Sequence, residues 1–238
     1  MSIELELEKM GENSVRASKD IRSLNERDKN NILKSIIVSL EKNKKNILDA
    51  NSLDISNSEN SLSNAMVDRL MLDDERFDGI LSSIENVISL EDPVGNKLYS
   101  NKRPNGMLVE RVSVPLGVIG IIYESRPNVT VDATVLCLKA GNSVILRGGS
   151  ECFNTNSEMV KSIQGALKEN SVSEHIVQYV STTDRAAVDY MLAKMGKYID
   201  VVVPRGGKGL VKKVQDTAKI PVIGPVSYTH LTLPTRCL

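Results

Sequence analysis

The sequence has no tryptophan, and aromatic residues make up only 3% of its 238 residues. Flat stacking surfaces for nucleobases or sugars are therefore scarce. The chain also lacks an excess of either charge, because 30 lysines and arginines balance 30 aspartates and glutamates. Proteins that bind nucleic acid normally carry a basic excess, so we expect no nucleic-acid partner.

Cysteine and histidine are also rare. Cys137, Cys152 and Cys237 show neither the C-x-x-C spacing of a metal site nor the density of a disulfide-rich secreted domain. The two histidines, His175 and His230, have no cysteine or carboxylate partners at the spacing of a zinc site. We therefore expect no metal.

Long apolar runs are missing as well. No stretch approaches the roughly 18 uninterrupted apolar residues that a membrane-spanning helix needs. The acidic start of the chain lacks the basic residues and the apolar run of a signal peptide. We expect a cytoplasmic protein with no membrane contact, and 41% hydrophobic residues are enough to form its core.

Residues 1–93 form the first predicted segment, and their apolar residues recur at steps of three and four, which predicts amphipathic helices. The apolar stripes are Leu33, Ile36, Ile37 and Leu40, then Ile47, Ala50 and Leu53, then Ile80, Ile84, Val87 and Ile88. The last helix is expected to end before Asp92-Pro93, because a residue before proline disfavours the helical conformation.

Residues 94–114 are predicted to form a β-hairpin, because Asn105-Gly106 precedes a run of strand-forming residues. From residue 115 short apolar runs alternate with helical stretches, as in a doubly wound α/β fold with a parallel sheet. The predicted strands are 118–123, 143–146, 175–180, 199–203 and 220–223, and the helices between them are 129–140, 154–169, 184–195 and 207–217.

Residues 115–224 thus read as a Rossmann-like nucleotide-binding domain that is incomplete. Residues 225–238 have no period and no acidic residue, and we expect them to be a non-native tail. His230 and Cys237 in this tail would otherwise suggest a base and a nucleophile, and we set that pair aside for this reason.

Two predicted strands end in glycine pairs beside an arginine. The first segment is Arg147-Gly148-Gly149-Ser150 and the second is Arg205-Gly206-Gly207-Lys208. Backbone N–H groups at the carboxyl ends of parallel strands face anions, and a neighbouring guanidinium adds charge. Neither segment matches the G-x-G-x-x-G fingerprint or a P-loop, so anion binding and a simple turn both remain open for these segments.

The loop Glu124-Ser125-Arg126-Pro127-Asn128 follows the first strand of the sheet. Arg126 and Asn128 can orient a carboxylate or polarise a carbonyl oxygen there. The alternative is that Asn128 only caps the next helix. Among the cysteines, Cys137 is expected to be a buried inert thiol, whereas Cys152 lies near a helix N-terminus that would stabilise a thiolate but has no evident base beside it.

Several longer sequence motifs follow one another along the chain. The most distinctive run covers residues 112–132, and the others are 66–70, 92–95, 139–149, 197–200, 203–207 and 220–223. Over about residues 10–223 the sequence closely resembles the gamma-glutamyl phosphate reductases, also called glutamate-5-semialdehyde dehydrogenases, of the aldehyde dehydrogenase superfamily.

The resemblance implies an NADPH-dependent oxidoreductase that reduces L-glutamate 5-phosphate to the 5-semialdehyde and phosphate in proline biosynthesis. In this family a cysteine thiolate attacks the acyl phosphate, and the full-length enzyme is expected to be a homo-oligomer. The family's nucleophile would lie downstream of residue 223, so we expect this chain to be an inactive N-terminal fragment. The alternatives are a non-catalytic nucleotide-binding fragment and a related dehydrogenase of aldehydes or acyl phosphates.

The resemblance also implies roles for single residues. Where the superfamily usually has Lys-x-x-Glu to hold the adenosine ribose, this sequence has Arg147 and Ser150, which favours NADP(H) over NAD(H), although Glu151 lies next to them. Gly206, Gly207 and Lys208 would lie against the pyrophosphate. The superfamily's oxyanion-hole position falls on Arg126 without a gap and on Asn128 with an insertion, and Arg126 is alternatively a ligand of the substrate phosphate.

Overall fold

A computed structural model describes residues 2–58 and 62–224 of the chain. Its first part is helical, as the sequence predicts. The helices are α1 (Ile3–Arg22), α2 (Glu26–Lys42), α3 (Lys44–Ser58), α4 (Asn64–Leu70) and α5 (Asp74–Ser89). Side-chain caps begin three of them, since Ser2, Asn25 and Asp73 accept hydrogen bonds from backbone N–H groups three residues later.

The buried face of α3 differs from the prediction. Ile47 is buried as expected, but Leu53 is half exposed, and the buried side chains include Asn51 and Asp54. Asp54 is only 3% exposed because its carboxylate accepts hydrogen bonds from the N–H and the hydroxyl group of Thr155, at the start of a later helix. An apolar period could not reveal a helix face that is buried through polar contacts.

A two-stranded antiparallel hairpin follows, formed by β1 (Lys97–Lys102) and β2 (Leu108–Val112). Its turn contains Gly106, whose φ of 86° is in the left-handed region that favours glycine. The predicted hairpin is confirmed.

The remaining strands form one parallel sheet. They are β3 (Val118–Tyr123), β4 (Ser143–Arg147), β5 (Val177–Tyr179) and β6 (Val201–Arg205), in the spatial order β5-β4-β3-β6. Every residue of β3 and β4 is buried, which explains the apolar runs 118–123 and 144–146. The helices between and after the strands are α6 (Pro127–Lys139), α7 (Phe153–Glu169), α8 (Arg185–Lys194) and α9 (Lys208–Thr217).

The sheet is covered on both sides. One apolar core contains side chains of α2, α5, α6 and α7, and a second core contains side chains of α1, α8 and α9. The predicted doubly wound α/β architecture is therefore confirmed. The division into segments at residues 93/94 and 114/115 stays a prediction.

The predicted strand at residues 220–223 is wrong as an extended strand. Only Val222 pairs with the sheet, through a parallel bridge to Val202. Pro221 accepts a hydrogen bond from Val202 but has no N–H to donate in return, which limits the ladder at this edge. Residues 225–238, predicted to be a non-native tail, lie outside the described residues. No helix in the described ranges is long and apolar enough to cross a membrane.

A buried lysine, paired with an aspartate, joins the helical segment to α6, a helix that covers the sheet. Lys29 is 2% exposed, lies 2.5 Å from the carboxylate of Asp92 and donates to the carbonyl of Lys139 at the end of α6. The pair therefore ties α2, the segment before the hairpin and α6 together at one point.

Asp54 provides a test of how the helical segment supports the sheet. We expect Asp54→Ala to lower the free energy of unfolding by about 3–5 kcal/mol, because it leaves several buried donors at the start of α7 without an acceptor. Urea unfolding followed by circular dichroism measures this loss. Asp49→Ala, on the exposed face of the same helix, is the control. A loss for Asp54→Ala that matches the control would contradict this account.

Candidate functional site

The predicted site residues lie at the carboxyl ends of β3, β4 and β6. From β3 the chain continues to β4 on one side, and β6 later returns to the other side of β3. A ligand crevice forms where the strand order reverses in this way. The loops that begin at Glu124, Gly148 and Gly206 all open at this edge of the sheet.

The glycine pair after β4 is explained by close packing. A side chain at Gly148 would collide with the amide of Asn156 and the ring of Tyr123. A Cβ atom at Gly149 would lie 2.7 Å from a carboxylate oxygen of Glu151. That carboxylate accepts a hydrogen bond of 2.8 Å from Ser125. Gly148 therefore needs glycine for steric reasons, whereas a side chain at Gly149 would require the Glu151 carboxylate to move, whether or not an anion binds there.

Arg147 does not present a free guanidinium. It is 8% exposed and donates hydrogen bonds to the carbonyls of Gly148 and Thr183, the latter at 3.0 Å. Its Nε atom is buried without a hydrogen-bond partner among the described residues. Ser150, the second residue expected at the ribose, is exposed.

The glycine pair after β6 already holds a carboxylate. The N–H of Gly207 donates to Glu124 Oε2 at 3.0 Å, and a Cβ atom at Gly206 would lie 2.6 Å from Glu124 Cδ. Gly207 is the N-cap residue of α9, so Glu124 places a negative charge at the N-terminus of that helix. This role of Glu124 was not predicted from its loop sequence.

The loop after β3 excludes one of the two roles considered for Asn128, the capping of α6. Arg126 precedes α6 as its N-cap residue, Pro127 is the first helical residue, and Asn128 is already inside the first turn. The amide of Asn128 donates to Asp132 Oδ2 at 3.0 Å and does not cap the backbone. The capping role considered for Asn128 is therefore wrong. The oxyanion role of Asn128 or Arg126 stays a prediction.

Three cavities meet at this edge of the molecule, and Arg69 and Arg126 line all of them. The helix cavity, about 490 Å³, lies between α4, α5 and the start of α6. The β4 cavity, about 540 Å³, lies beside the end of β4 and against α8 and α9. The switch-point cavity, about 640 Å³, lies between the ends of β3 and β6.

The cavities bring most of the predicted residues together. The β4 cavity is lined by Arg147, Gly149 and Ser150, and the switch-point cavity by Arg205, Gly206 and Gly207. Gly148 and Lys208 line neither of these two cavities, and Asn128 lines only the helix cavity.

Two cations that the sequence did not predict also line the β4 cavity, Arg185 on α8 and Lys213 on α9. The lining of this cavity carries more positive than negative charge. Arg69, Arg126 and Arg147 also line it, whereas its carboxylates are those of Glu124 and Glu151. Such a surface suits an anion such as a phosphate. Nothing local in the sequence marks Arg185 and Lys213, because only the fold brings them to this edge.

Neither described cysteine has the character of a nucleophile. Burial raises the pKa of Cys152 to about 12 and that of Cys137 to about 12. Cys152 is 0% exposed and accepts a hydrogen bond from Asn156 at 3.1 Å. The inert character expected of Cys137 is supported, and the thiolate stabilisation considered for Cys152 is outweighed by desolvation.

Several curated relatives share one name. A gamma-glutamyl phosphate reductase of Shewanella woodyi is 46% identical over 230 residues, which cover 96% of this chain and 54% of that protein. One of Psychrobacter arcticus is 45% identical over 91% of this chain and 50% of that protein. No family model matches the chain. The chain spans about half the length of the curated relatives it matches.

Solved structures give the same result. Gamma-glutamyl phosphate reductase of Thermotoga maritima matches with a TM-score of 0.88 and 42% identity, over 91% of this chain and 52% of that one. A probable aldehyde dehydrogenase of Listeria monocytogenes matches with a TM-score of 0.72 and 17% identity, over 94% and 47% of the two chains, which shows a shared fold. The resemblance predicted from the sequence is confirmed.

The state of the two buried thiols can be tested directly. In a Cys237→Ser background, we expect neither Cys137 nor Cys152 to react with a disulfide reagent at pH 8, because protonated buried thiols are poor nucleophiles. Both should react after denaturation. Ser150→Cys, at an exposed position of the same loop, is the positive control. Rapid reaction of either native thiol would show that burial does not keep that thiol protonated.

Proposed function

We propose that this chain supplies the cofactor-binding part of a gamma-glutamyl phosphate reductase, because it is homologous to these enzymes over about half of their length. The proposed reaction is the NADPH-dependent reduction of L-glutamate 5-phosphate to L-glutamate 5-semialdehyde and phosphate, in proline biosynthesis. We also propose that the full-length protein is a cytoplasmic homo-oligomer. The observation that carries the proposal is 45–46% identity to enzymes of this one name over more than nine tenths of the chain.

The residues at the sheet edge fit a nicotinamide cofactor. They offer a cationic cavity, a buried guanidinium nitrogen without a partner among the described residues, and the N-terminus of α9 beside the switch-point cavity. Such groups match the phosphates of a dinucleotide. The reduced nicotinamide, when bound, supplies the hydride for the reduction.

For the adenosine end we propose the edge formed by Arg147, Gly148, Gly149 and Ser150. Arg147 donates hydrogen bonds to the carbonyls of Gly148 and Thr183, so its main effect is to hold the backbone of this edge in place. Arg185 faces the same cavity and adds positive charge for a 2′-phosphate, and Lys213 faces it as well but pairs with Asp189 at 2.9 Å. Glu151 would otherwise favour ribose hydroxyls, but its carboxylate is engaged by Ser125.

For the pyrophosphate we propose Arg205, Gly206, Gly207 and Lys208. Arg205 and Lys208 are exposed, and no carboxylate among the described residues pairs with either of them. The carboxylate of Glu124 must leave the N–H of Gly207 before a phosphate oxygen can take its place.

For the reacting end of the substrate we propose Arg126, with Asn128 as the alternative oxyanion donor. Arg126 lies where the three cavities meet, so its guanidinium can stabilise negative charge on the acyl phosphate beside the cofactor crevice. The thiolate that attacks the acyl carbon is proposed to lie in the part of the relatives that this chain does not span, because Cys137 and Cys152 are buried and protonated. We therefore expect ligand binding without turnover from these 238 residues.

Cofactor choice can be tested with the adenosine half alone. Isothermal titration should show tighter binding of 2′,5′-ADP than of 5′-AMP. Arg185→Ala should weaken 2′,5′-ADP roughly ten- to hundredfold and leave 5′-AMP unchanged, because only the former carries the paired 2′-phosphate. Arg147→Ala should also reduce the preference, although Arg147 is buried and its loss can lower stability.

Arg103→Ala, at the tip of the exposed hairpin, is the matched control, since Arg103 lines none of the three cavities. Equal affinity for the two nucleotides in the unmutated chain would contradict the preference for NADP(H).

Glu124 gives a second test. We expect Glu124→Gln to bind NADP⁺ about two- to fivefold more tightly, because the neutral amide neither repels the pyrophosphate nor competes as strongly for the helix N-terminus. Titration of both proteins with NADP⁺ measures the change. Glu169→Gln, exposed at the far end of α7, is the control. Weaker binding by Glu124→Gln would show that the carboxylate assists the ligand rather than competing with it.

A further inference from the structure

The helix cavity is the one of the three cavities to which the proposed function assigns no part of the cofactor. Its lining combines apolar side chains with two carboxylates, Asp68 and Asp132, and three guanidinium groups, Arg69, Arg76 and Arg126. Of these residues, only Arg126 was expected at the site from its sequence. The cavity volume of about 490 Å³ is in the range of small-molecule sites.

One of the ion pairs on this cavity is already complete. Arg76 lies 2.7 Å from the carboxylate of Asp68 and donates to the carbonyl of Met71 at 2.9 Å. These bonds fasten α4 to the start of α5. Arg76 and Asp68 therefore hold the wall of the cavity and offer little charge to a ligand.

The other charged groups lack a partner of opposite sign. Asp132 is half-buried and accepts hydrogen bonds from two neutral donors, Ser83 at 2.9 Å and Asn128 at 3.0 Å. Within the described ranges no cation pairs with Asp132, and no anion pairs with Arg69 or Arg126. One carboxylate and two guanidinium groups around a single cavity are complementary to a ligand with one positive and two negative groups.

We propose that the helix cavity binds the α-amino-acid end of the substrate, with Asp132 facing the α-ammonium group and Arg69 the α-carboxylate. The inference rests on the proposed function, which assigns Arg126 to the phosphate end and leaves Arg69 as the second guanidinium. Ser83 and Asn128 act as positioning residues, because their hydrogen bonds hold the Asp132 carboxylate in place. A guanidinium group suits the carboxylate through two parallel hydrogen bonds.

Three stable phosphonates separate the charged groups of the ligand. 2-Amino-5-phosphonopentanoate carries all three groups, 5-phosphonopentanoate lacks the ammonium group, and 4-aminobutylphosphonate lacks the carboxylate. Isothermal titration of the 238-residue chain with each compound gives three dissociation constants. The same titrations are repeated on Asp132→Asn and Arg69→Gln, with Asp49→Asn and Arg103→Gln as controls outside the cavity.

Asp132→Asn is expected to weaken the two amino compounds about tenfold or more and to leave 5-phosphonopentanoate within about twofold. Arg69→Gln is expected to weaken the two carboxylates by a similar factor and to spare 4-aminobutylphosphonate. The control variants should bind all three compounds like the unmutated chain. Thermal unfolding checks that each variant is folded, and Asp132→Ser replaces Asp132→Asn if the latter is not.

The possible failures can be told apart. Equal losses for all three phosphonates in both variants, or no loss in either, would overturn the assignment of Asp132 and Arg69 while phosphonate binding still agrees with the proposed function. No binding of any phosphonate by the unmutated chain, when 2′,5′-ADP binds in the same buffer, would overturn this inference alone. Failure of the nucleotide and the phosphonates together would overturn the proposed function as well.

Discussion

The buried carboxylate of Asp54 is the contact on which the site edge depends. It accepts hydrogen bonds from the backbone N–H groups and the side chains of Asn154 and Thr155, over distances of 2.6–3.2 Å. One turn earlier on α3, Asn51 binds the backbone of Leu70 and Leu72. A single helix face therefore fixes both the start of α7, which follows the glycine pair after β4, and the end of α4, which carries Arg69.

Asp54 and Glu124 each place a carboxylate at the N-terminus of a helix from a distant part of the chain, and their surroundings differ in a way that matters for binding. Asp54 is 3% exposed and makes four hydrogen bonds, so removing it from α7 would leave buried donors unpaired. Glu124 is exposed and makes one hydrogen bond to Gly207, which water or a phosphate oxygen can replace at little cost. The start of α7 is thus closed to ligands, whereas the start of α9 can exchange its carboxylate for an external anion.

Most of the fold could be predicted from the sequence, because the apolar runs of β3 and β4 are short and flanked by glycine, which favours buried strands, and because Asn105-Gly106 favours a hairpin turn. The site could be predicted only where its residues follow a strand end directly. The burial of Arg147 and Asp54 depends on acceptors and donors more than 30 residues away, Thr183 and Thr155, which no local pattern reveals. Arg69, Arg185 and Lys213 reach the crevice for the same long-range reason.

The conformation of Arg126 links these observations to the chemistry. Its backbone is extended, with φ −138° and ψ 100°, as the following Pro127 requires, and Pro127 begins α6. The dipeptide thus directs a guanidinium group to the N-terminus of a helix, where a positive charge is unfavourable by about 0.3–1 kcal/mol. Within the described residues no carboxylate pairs with this group to relieve the conflict. Residues that lower stability are concentrated at functional sites. An anion bound beside Arg126 would interact favourably with both the guanidinium group and the helix N-terminus.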